Sequence, residues 1–342
     1  MNILIIGFGV AGKHYFNLIK KMNLKKKIFF HDPLKLKINN SNLNKINKSL
    51  LRKNNIKYAI IATPSYLHYK YAKILIKNNL NLLIEKPLVL NLSNAKKLIK
   101  MSKSKKIKCL VVFQIRFNKA IQSLRKTIQK KIIKDVFFVD AKMFWNRDKK
   151  YYSSGWHGRF KTDGGVLTNQ AIHTLDAIVY LFGKVKKLNS YLMFNKSKLE
   201  AEDFALVNLE HSNKILTSLK VTTRADKNYE NEIDILGNKS RFKVSGISLN
   251  LFQKFKGNKI FTDNKKSEFF SDEKGVKGAM GNGHKKVLNE FFNRRISNSS
   301  KDLEISKNLH VLEIIHSVYN TYKNKQLLKI GTKQSILGKN EK

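Results

Sequence analysis

Three short stretches of the chain contain residue types and spacings that can do chemistry. Residues 7–12 read Gly-Phe-Gly-Val-Ala-Gly, a G-x-G-x-x-G pattern that can cradle phosphate groups. Residues 85–87 read Glu-Lys-Pro, which fixes a lysine between a carboxylate and a proline. Asn169, His173 and Asp176 are spaced four and three residues apart, so that an amide, an imidazole and a carboxylate can hydrogen-bond a hydroxylated substrate.

The glycine-rich stretch has the context that a dinucleotide site requires. It follows an apolar segment, residues 2–7, that reads as a buried strand, and it opens a predicted helix that runs to about Met22. Gly7 permits the tight turn, Gly9 lets a pyrophosphate approach the backbone, and Gly12 lets the helix pack closely on the strand. The helix N-terminus then faces the phosphates. The alternative is a glycine-rich turn without a ligand.

The choice of cofactor depends on Asp32, which lies 20 residues after Gly12 at the end of the second predicted strand. A carboxylate there can accept hydrogen bonds from both ribose hydroxyls and repels a 2′-phosphate. We therefore expect NAD rather than NADP. Lys35 and Lys37 follow closely and weaken that preference.

Two further motifs fall where predicted parallel strands end. Residues 63–68 read Thr-Pro-Ser-Tyr-Leu-His after the third strand, and residues 85–87 follow the fourth. Ligands bind at the carboxyl ends of the strands in open α/β sheets. A lysine at position 86 beside a nicotinamide is a plausible acid/base if desolvation lowers its pKa. The alternative, which spacing alone favours, is an ordinary surface lysine in a lysine-rich chain.

A single predicted helix, from about Thr168 to Leu181, carries the amide, imidazole and carboxylate. On a continuous helix, Asn169, His173 and Asp176 share one face. This face suits hydrogen bonding to a hydroxylated substrate. A metal site has little support, because no cysteine or second histidine joins the set. We therefore predict no metal.

The elements that position these residues predict an α/β fold in two parts. Apolar strands alternate with helical patterns over about 115 residues, which predicts a parallel, doubly wound sheet. Longer strand-like segments with few helices follow, which predicts a large, open, mainly antiparallel sheet in an α+β domain. The predicted strands are 2–7, 28–31, 57–63, 81–84, 107–113, 136–144, 187–194, 203–210, 214–223, 232–236 and 241–244. The predicted domains are 1–117, for the dinucleotide, and 118–342, for substrate and oligomerisation.

Composition excludes several classes of protein. With 42% hydrophobic residues, the 342-residue chain can bury a core, and one cysteine excludes a disulfide framework. No apolar run has the roughly 20 residues of a membrane span, and the N-terminus lacks a basic signal region, so we expect a cytoplasmic protein without membrane contact. Only nine of 68 basic residues are arginine, and the lysines are spread along the chain, so the net charge of +44 does not predict nucleic-acid binding. The charge still favours anionic substrates.

Taken in order, the motifs resemble those of the Gfo/Idh/MocA family of nicotinamide-dependent oxidoreductases, from residue 1 to roughly 295. The sequence G-x-G-x-x-G, T-P-x-x-x-H, E-K-P, and then G-G-x-x-x-[DN]-x-x-x-H-x-x-D carries the resemblance. It implies a Rossmann domain plus a C-terminal domain whose open sheet often joins subunits, hence a homo-oligomer, either a dimer or a tetramer. It also implies hydride transfer between a sugar-like secondary alcohol and NAD(P).

The resemblance also assigns roles to residues. Lys86 is implied as the catalytic lysine, and His173 as the partner that orients the reacting hydroxyl or relays its proton. The implied cofactor contacts are Gly7, Phe8, Gly9, Val10, Ala11, Gly12, Asp32, Thr63, Pro64, His68, Glu85, Lys86, Pro87 and Gln114. The substrate-contact candidates are Lys86, Arg116, Trp156, Arg159, Asn169, Gln170 and His173. Among these, the Arg159 guanidinium can bind a phosphate or carboxylate bidentately.

Two departures from the family pattern matter. The family often has aspartate at the position of Asn169, and an amide cannot act as a base, so the acid/base role shifts to Lys86 and His173. Tyr15 stands where many members have histidine, which puts a cofactor contact there in doubt.

The segment Asn-Gln-x-x-His-Thr-x-Asp, preceded by Trp-x-Gly and Asp-Gly-Gly, is most similar to one branch of the family. That branch oxidises the 3-hydroxyl of a UDP-N-acetylhexosamine or its uronate on the way to lipopolysaccharide. The alternatives are an inositol, aldose or polyol dehydrogenase, and a non-catalytic NAD-binding sensor. Lys86 and His173 argue against the sensor, which does not need them.

Overall fold

The computed structural model describes residues 1–33, 43, 46–133, 135–153, 155–195, 199–229, 231–238, 240–256, 259–262, 283–293 and 297–324. Lys35 and Lys37 lie outside the described residues. The described residues form two β-sheets and the helices that cover them.

The first sheet is parallel and has the strand order β2-β1-β3-β4-β5. Its strands are almost wholly apolar because helices cover both faces. The predicted doubly wound sheet is confirmed. The strands are β1 (Asn2–Ile6), β2 (Ile28–His31), β3 (Ile56–Ile61), β4 (Asn81–Ile84) and β5 (Cys109–Val111). The helices are α1 (Val10–Lys21), α2 (Lys48–Lys53), α3 (His68–Lys77) and α4 (Leu92–Ser104).

The second sheet has eight strands in the order β13-β12-β11-β10-β6-β9-β8-β7. The β6–β9 pair is parallel and the other pairs are antiparallel, which confirms the predicted mainly antiparallel sheet. The strands are β6 (Val136–Phe144), β7 (Val185–Met193), β8 (Phe204–His211), β9 (Leu216–Thr222), β10 (Glu232–Gly237), β11 (Ser240–Ser245), β12 (Leu251–Lys256) and β13 (Lys259–Thr262). The last two were not predicted.

Helices precede and follow β6 along the chain. They are α5 (Lys119–Gln129), which precedes β6, and then α6 (Lys149–Tyr152), α7 (Val166–Asn169) and α8 (Ile172–Phe182). The prediction of one helix from Thr168 to Leu181 was wrong. The N–H of Ala171 bonds to the carbonyl of Val166, five residues back, at 2.8 Å. This wide turn ends α7 and changes the helical register before α8 begins.

Three C-terminal helices connect the two sheets. They are α9 (Gly283–Phe292), α10 (Asn298–Leu303) and α11 (Leu309–Asn324). The Phe291 ring of α9 lies 5.5 Å from that of Tyr58 in β3. The N–H of Ile305 bonds to the carbonyl of Cys109 in β5 at 3.1 Å. Residues far along the chain therefore pack on the first sheet, and the domain boundary near residue 117 stays a prediction.

None of the described helices is long and apolar enough to cross a membrane.

Candidate active site

The glycine-rich turn joins β1 to α1 and has the close contacts that its glycines allow. Gly7 has a φ of +85°, and a Cβ there would lie 2.7 Å from the carbonyl oxygen of Ala62 at the end of β3. A Cβ at Gly12 would collide with the carbonyl oxygen of Gly7. At Gly9, by contrast, no heavy atom of the described residues lies within 4 Å of a Cβ. This open space at the N-terminus of α1 fits a pyrophosphate.

Asp32 fixes this turn to the end of β2. The side chain is buried, and its Oδ2 accepts a hydrogen bond from the N–H of Phe8 at 2.6 Å. The Phe8 ring packs edge-on against Phe30 of β2 at 4.7 Å. A carboxylate is therefore held beside the phosphate cradle, where a dinucleotide ribose would lie.

His68 differs from its predicted role. Its ring is 1% exposed, with Nδ1 2.8 Å from the carbonyl oxygen of Pro87 and Nε2 2.9 Å from that of Thr63. Burial lowers the pKa of this imidazole. Both nitrogens face the backbone, so the ring ties the loop after β3 to the loop after β4. The predicted contact of the His68 ring with cofactor is corrected to a role in positioning these two loops.

Tyr15 explains how Glu85 is held. The Tyr15 hydroxyl donates to Glu85 Oε1 at 2.5 Å, and Glu85 Oε2 accepts the N–H of Lys86 at 3.1 Å. Tyr15 is fully buried, and burial together with the Glu85 carboxylate raises its pKa well above the usual value. The tyrosine that departs from the family pattern thus connects α1 to the residue before Lys86.

Lys86 points across to the end of α7. Its Nζ donates to the carbonyl oxygen of Asn169 at 2.6 Å and lies 3.4 Å from Asn169 Oδ1. Burial lowers the pKa of Lys86, and Arg147 lowers it further, against the opposing effect of Glu85 and Asp163. The side chain still has accessible surface. Lys86 is therefore a half-buried amine whose pKa is shifted toward that of a useful acid/base.

Asn169 belongs to a polar network that spacing did not predict. Its Nδ2 donates to Asp163 Oδ2 at 2.8 Å and to the hydroxyl of Tyr151 at 3.0 Å. Gln170 Nε2 donates to the same hydroxyl at 3.0 Å. His157 Nδ1 lies 2.7 Å from Asp163 Oδ2, and its ring stacks on Tyr151 with centroids 4.0 Å apart. The side-chain amide of Asn169 is therefore fixed by Asp163 and Tyr151, while its backbone carbonyl faces Lys86.

His173 lies near Lys86, on the first turn of α8. Burial holds its pKa well below the usual value, and the nearby Lys86 and His284 lower it further. The imidazole is therefore neutral at neutral pH. Its Nδ1 is buried, with no hydrogen-bond partner among the described residues. His284, on α9, also contacts the rings of His14 and Tyr15 at 4.9 and 5.7 Å, which brings α1 and α9 to the same site.

Arg116 and Asp176 do not join this site. Arg116 Nε donates to Asp176 Oδ2 at 2.8 Å, Nη1 to the carbonyl of Asp302 at 2.7 Å, and Nη2 to Asp176 and Asn308. Both side chains of the ion pair are buried. The prediction that Arg116 contacts substrate was wrong, because its guanidinium is used to join α8 to the C-terminal helices. The predicted common face of Asn169, His173 and Asp176 does not form either.

Three other candidates occupy different settings. Gln114 follows β5 and is 3% exposed, and its Oε1 is buried without a hydrogen-bond partner in the described part of the chain. Trp156 is half-buried, with its ring 3.6 Å from that of His157. The Arg159 side chain is exposed, and its backbone N–H donates to Asp163 Oδ1 at 3.3 Å. Trp156 and Arg159 therefore lie on the loop that leads into α7, and their contact with substrate stays a prediction.

No group of three or more His, Cys, Asp or Glu residues in the described ranges is arranged to hold a metal ion.

Two family models match the chain. Residues 1–113 match the oxidoreductase family with an NAD-binding Rossmann fold, and residues 121–243 match the GFO/IDH/MocA C-terminal domain. The chain belongs to the GFO/IDH/MocA family. This confirms the predicted family, the fold class and NAD as the cofactor of the first domain. The first matched model describes a family of oxidoreductases.

Several curated proteins resemble parts of this GFO/IDH/MocA chain. An uncharacterized oxidoreductase of Synechocystis is 27% identical over 220 residues, which cover 59% of this chain and 58% of that protein. The NADP⁺-dependent scyllo-inositol 2-dehydrogenase of Bacillus subtilis is 22% identical over 156 residues, covering 46% and 43%. The chain spans about half the length of the curated relatives it matches.

Solved structures share the fold over nearly the full length. The WlbA dehydrogenase from Chromobacterium violaceum, solved with NADH and UDP-GlcNAcA, has a TM-score of 0.80 at 22% identity and covers 95% of this chain and 94% of that one. The Bordetella pertussis WlbA dehydrogenase, also with NADH and UDP-GlcNAcA, has a TM-score of 0.77 at 21% identity, covering 95% and 97%. At these identities the likeness shows the fold.

Proposed function

We propose that the protein oxidises a secondary hydroxyl of a sugar with NAD⁺, with Lys86 as the acid/base. The observation that carries this proposal is the 2.6 Å hydrogen bond between Lys86 Nζ and the carbonyl of Asn169. It holds an amine of lowered pKa at the carboxyl end of β4, beside the neutral imidazole of His173. The glycine-rich turn lies at the equivalent end of β1 in the same sheet.

The residues present fit a dinucleotide. The open backbone at Gly9 and the N-terminus of α1 would hold the pyrophosphate, and Asp32 would accept the ribose hydroxyls. The buried Oε1 of Gln114 is a polar atom that a cofactor amide can satisfy. NAD⁺, held by these residues, would supply the acceptor for the hydride that leaves the alcohol carbon.

The proton chemistry falls to Lys86 and His173. A neutral Lys86 Nζ accepts the hydroxyl proton of the alcohol, and the Asn169 carbonyl accepts a hydrogen bond from the ammonium that forms. Neutral His173 orients the hydroxyl through a ring nitrogen. Asn169 takes no proton, because an amide is not a base at neutral pH. General acid/base catalysis of this kind contributes roughly 10²- to 10⁴-fold.

For the substrate, we propose the 3-hydroxyl of a UDP-N-acetylhexosamine or its uronate, used in building cell-surface polysaccharide. The Asn-Gln-x-x-His-Thr-x-Asp segment supports this choice, as does the fold similarity to two dehydrogenases solved with UDP-GlcNAcA. The exposed guanidinium of Arg159 supplies a group for a diphosphate or carboxylate. The strongly positive chain favours such an anion.

The partner of the protein is, in this proposal, a second copy of itself, bound through the open face of the eight-stranded sheet. Tyr191, Met193 and Leu216 lie on that face with 42–51% of their surface exposed. The acidic residues of the face pair with neighbouring basic ones, so the face is nearly neutral within a chain of net charge +44. These pairs are Lys142–Glu232, Lys243–Glu232, Lys220–Asp140, Lys187–Glu210 and Arg241–Asp234. Two copies can therefore meet here with little charge repulsion.

The substrate is tested by following NADH absorbance with NAD⁺ and four candidates: UDP-N-acetylglucosamine, its uronate, myo-inositol and glucose. We expect turnover with a UDP-sugar alone. Turnover only with inositol or glucose would replace the substrate and keep the chemistry. Tight NADH binding without turnover on any sugar would favour the non-catalytic sensor. The proposed self-association is tested by measuring the molar mass of wild type and Tyr191→Asp by light scattering. We expect the wild type to be an oligomer, and we expect the introduced aspartate charge to dissociate it.

A further inference from the structure

Glu202 is a buried carboxyl at the start of α7, far from any role assigned above. It is 1% exposed. Its Oε1 accepts a hydrogen bond from the N–H of Leu167 at 3.0 Å, and its Oε2 accepts one from the hydroxyl of Tyr319 at 2.6 Å. Its backbone carbonyl accepts the N–H of Val166 at 2.9 Å. One residue next to β8 therefore binds two of the first backbone N–H groups of α7.

The short helix α7 depends on this contact. The residue before it is Gly165, which has no side chain to cap the helix. A Cβ at Gly165 would collide with the Glu202 carboxylate. The first N–H groups of a helix have no partner within the helix and need an outside acceptor. Glu202 supplies that acceptor from 35 residues further along the chain, and Gly165 leaves room for it.

The other end of α7 holds Lys86. The helix is a single turn, and the carbonyl of Asn169 that accepts from Lys86 Nζ is two residues after Leu167. A shift of the first turn therefore moves this carbonyl relative to Lys86. Tyr319 belongs to α11, which also packs against α4, α8 and β7, so Glu202 is itself fixed to a large element.

We propose that Glu202 is a positioning residue for Lys86: its carboxylate fixes α7, and Tyr319 fixes the carboxylate, so that the Asn169 carbonyl stays within hydrogen-bond distance of the Lys86 ammonium. The expected effect of Glu202 on kcat rests on the function proposed above. The expected effect on the reactivity of the Lys86 amine does not depend on that function.

The charge state of Glu202 makes the proposal testable by pH. The groups that act on this carboxyl are the Tyr319 hydroxyl, the backbone N–H groups of Leu167 and of Glu202 itself, and the Asp163 carboxylate. Burial raises the pKa of Glu202 from 4.5 to about 7. Its contribution to stability is therefore present at low pH and lost as the pH rises through about 7. Above that pH the carboxylate holds α7 at a cost in folding free energy.

The first experiment measures Lys86 without any sugar. The full-length chain is trace-labelled with acetic anhydride over a pH series, and acetylation of Lys86 is followed by mass spectrometry. In wild type we expect a step in the pH dependence of the Lys86 acetylation rate near the pKa of Glu202. In Glu202→Gln, which keeps an acceptor for the N–H of Leu167 but carries no charge, the step is absent. In Glu202→Leu, which has no acceptor, Lys86 labels about fivefold faster at neutral pH, as loss of one hydrogen bond to its ammonium predicts. Tyr319→Phe shifts the rate in the same direction by less.

The unfolding temperature and a control variant distinguish an effect on the position of Lys86 from a general loss of structure. At alkaline pH, Glu202→Gln should unfold at the wild-type temperature or higher, because the buried charge is gone. Tyr180→Phe removes another half-buried phenol, which bonds to Gln122 and Arg125, and should leave Lys86 labelling unchanged. Wild-type labelling rates in Glu202→Leu and Tyr319→Phe, together with wild-type pH dependence in Glu202→Gln, would overturn the proposal. If Glu202→Leu does not fold, the labelling rate of Tyr319→Phe alone tests the proposal.

The kinetic experiment follows. With a sugar that the wild type oxidises, Glu202→Leu should lower kcat by roughly 10- to 100-fold, the effect of displacing a catalytic group by about 1 Å, with an unchanged KM for NAD⁺. An unchanged kcat would overturn the kinetic part. Absence of turnover in the wild type contradicts the proposed function instead, and the labelling experiment still tests Glu202.

Discussion

The ammonium nitrogen of Lys86 lies 2.6 Å from the carbonyl oxygen of Asn169, residues that are 83 positions apart in the chain. This contact connects the loop after β4 of the first sheet to the end of α7 beside the second sheet. It places the group with the lowered pKa between the cofactor turn and the loop that carries Trp156 and Arg159. The predictions below follow from this arrangement.

Two glycines of the cofactor turn should respond differently to the same methyl group. Gly9→Ala has free space for its Cβ, so we expect an unchanged melting temperature and a KM for NAD⁺ raised about tenfold, because the methyl occupies pyrophosphate space. Gly12→Ala collides with the Gly7 carbonyl and should lower the melting temperature. Thermal unfolding and NAD⁺ titration measure both. Equal effects of the two variants would contradict the assignment of Gly9 to the phosphates.

Asp32 should determine the choice between NAD and NADP. Asp32→Asn keeps an acceptor for the N–H of Phe8 and removes the negative charge, so the fold should persist. We expect the ratio of kcat/KM for NAD⁺ over NADP⁺ to fall by about tenfold, about 1.4 kcal/mol of lost discrimination. Kinetics with both cofactors measure it. A ratio unchanged from wild type would assign the choice to other residues.

Arg116 and Arg159, both predicted from the sequence to contact substrate, should differ in the effect of their replacement by alanine. Arg116→Ala leaves the Asp176 carboxylate buried without its partner and should cost about 3–5 kcal/mol in the free energy of unfolding. Arg159→Ala removes an exposed side chain and should leave stability unchanged while raising the KM of an anionic sugar. Urea unfolding and kinetics with UDP-sugar and glucose distinguish them. A lower stability for Arg159→Ala would contradict its placement.

The pH dependence of alcohol oxidation should report Lys86. Its pKa is lowered from 10.5 by burial, so kcat should rise with pH and level off below 10.5. His173 adds no inflection near neutrality, because its pKa is held well below 6.5 and the ring stays neutral. An inflection near pH 7 belongs to Glu202 and should vanish in Glu202→Gln. A plateau reached only above 10.5 would contradict the role of Lys86.

The buried strands and the cofactor turn were predictable, because apolar runs and glycine spacing are local signals. Strands β12 and β13 were missed, although half of their residues are apolar. The break between α7 and α8 depends on one backbone hydrogen bond at Ala171, which the periodicity does not reveal. The predicted helix therefore placed Asn169 and His173 on one face.

The roles of the remaining site residues depend on tertiary contacts, which the sequence does not show. The sequence predicted that Arg116 contacts substrate, because its ion pair with Asp176 is visible only in the folded structure. His157 and Asp163 stand within motifs that the sequence analysis quoted, yet their contact with each other depends on the folded loop. Tyr151 and Glu202 have no local signal, because burial of a polar side chain is visible only when the elements around it are packed.

The central claim is that Lys86 carries the proton chemistry, and Lys86→Ala tests it most directly. Lys108→Ala is the matched control, since Lys108 also has a lowered pKa and donates to the backbone carbonyls of Glu290 and Asn293. We expect Lys86→Ala to bind NADH as wild type does and to lose roughly 10²- to 10⁴-fold in kcat, while Lys108→Ala keeps its activity. Wild-type kcat in Lys86→Ala would contradict the account.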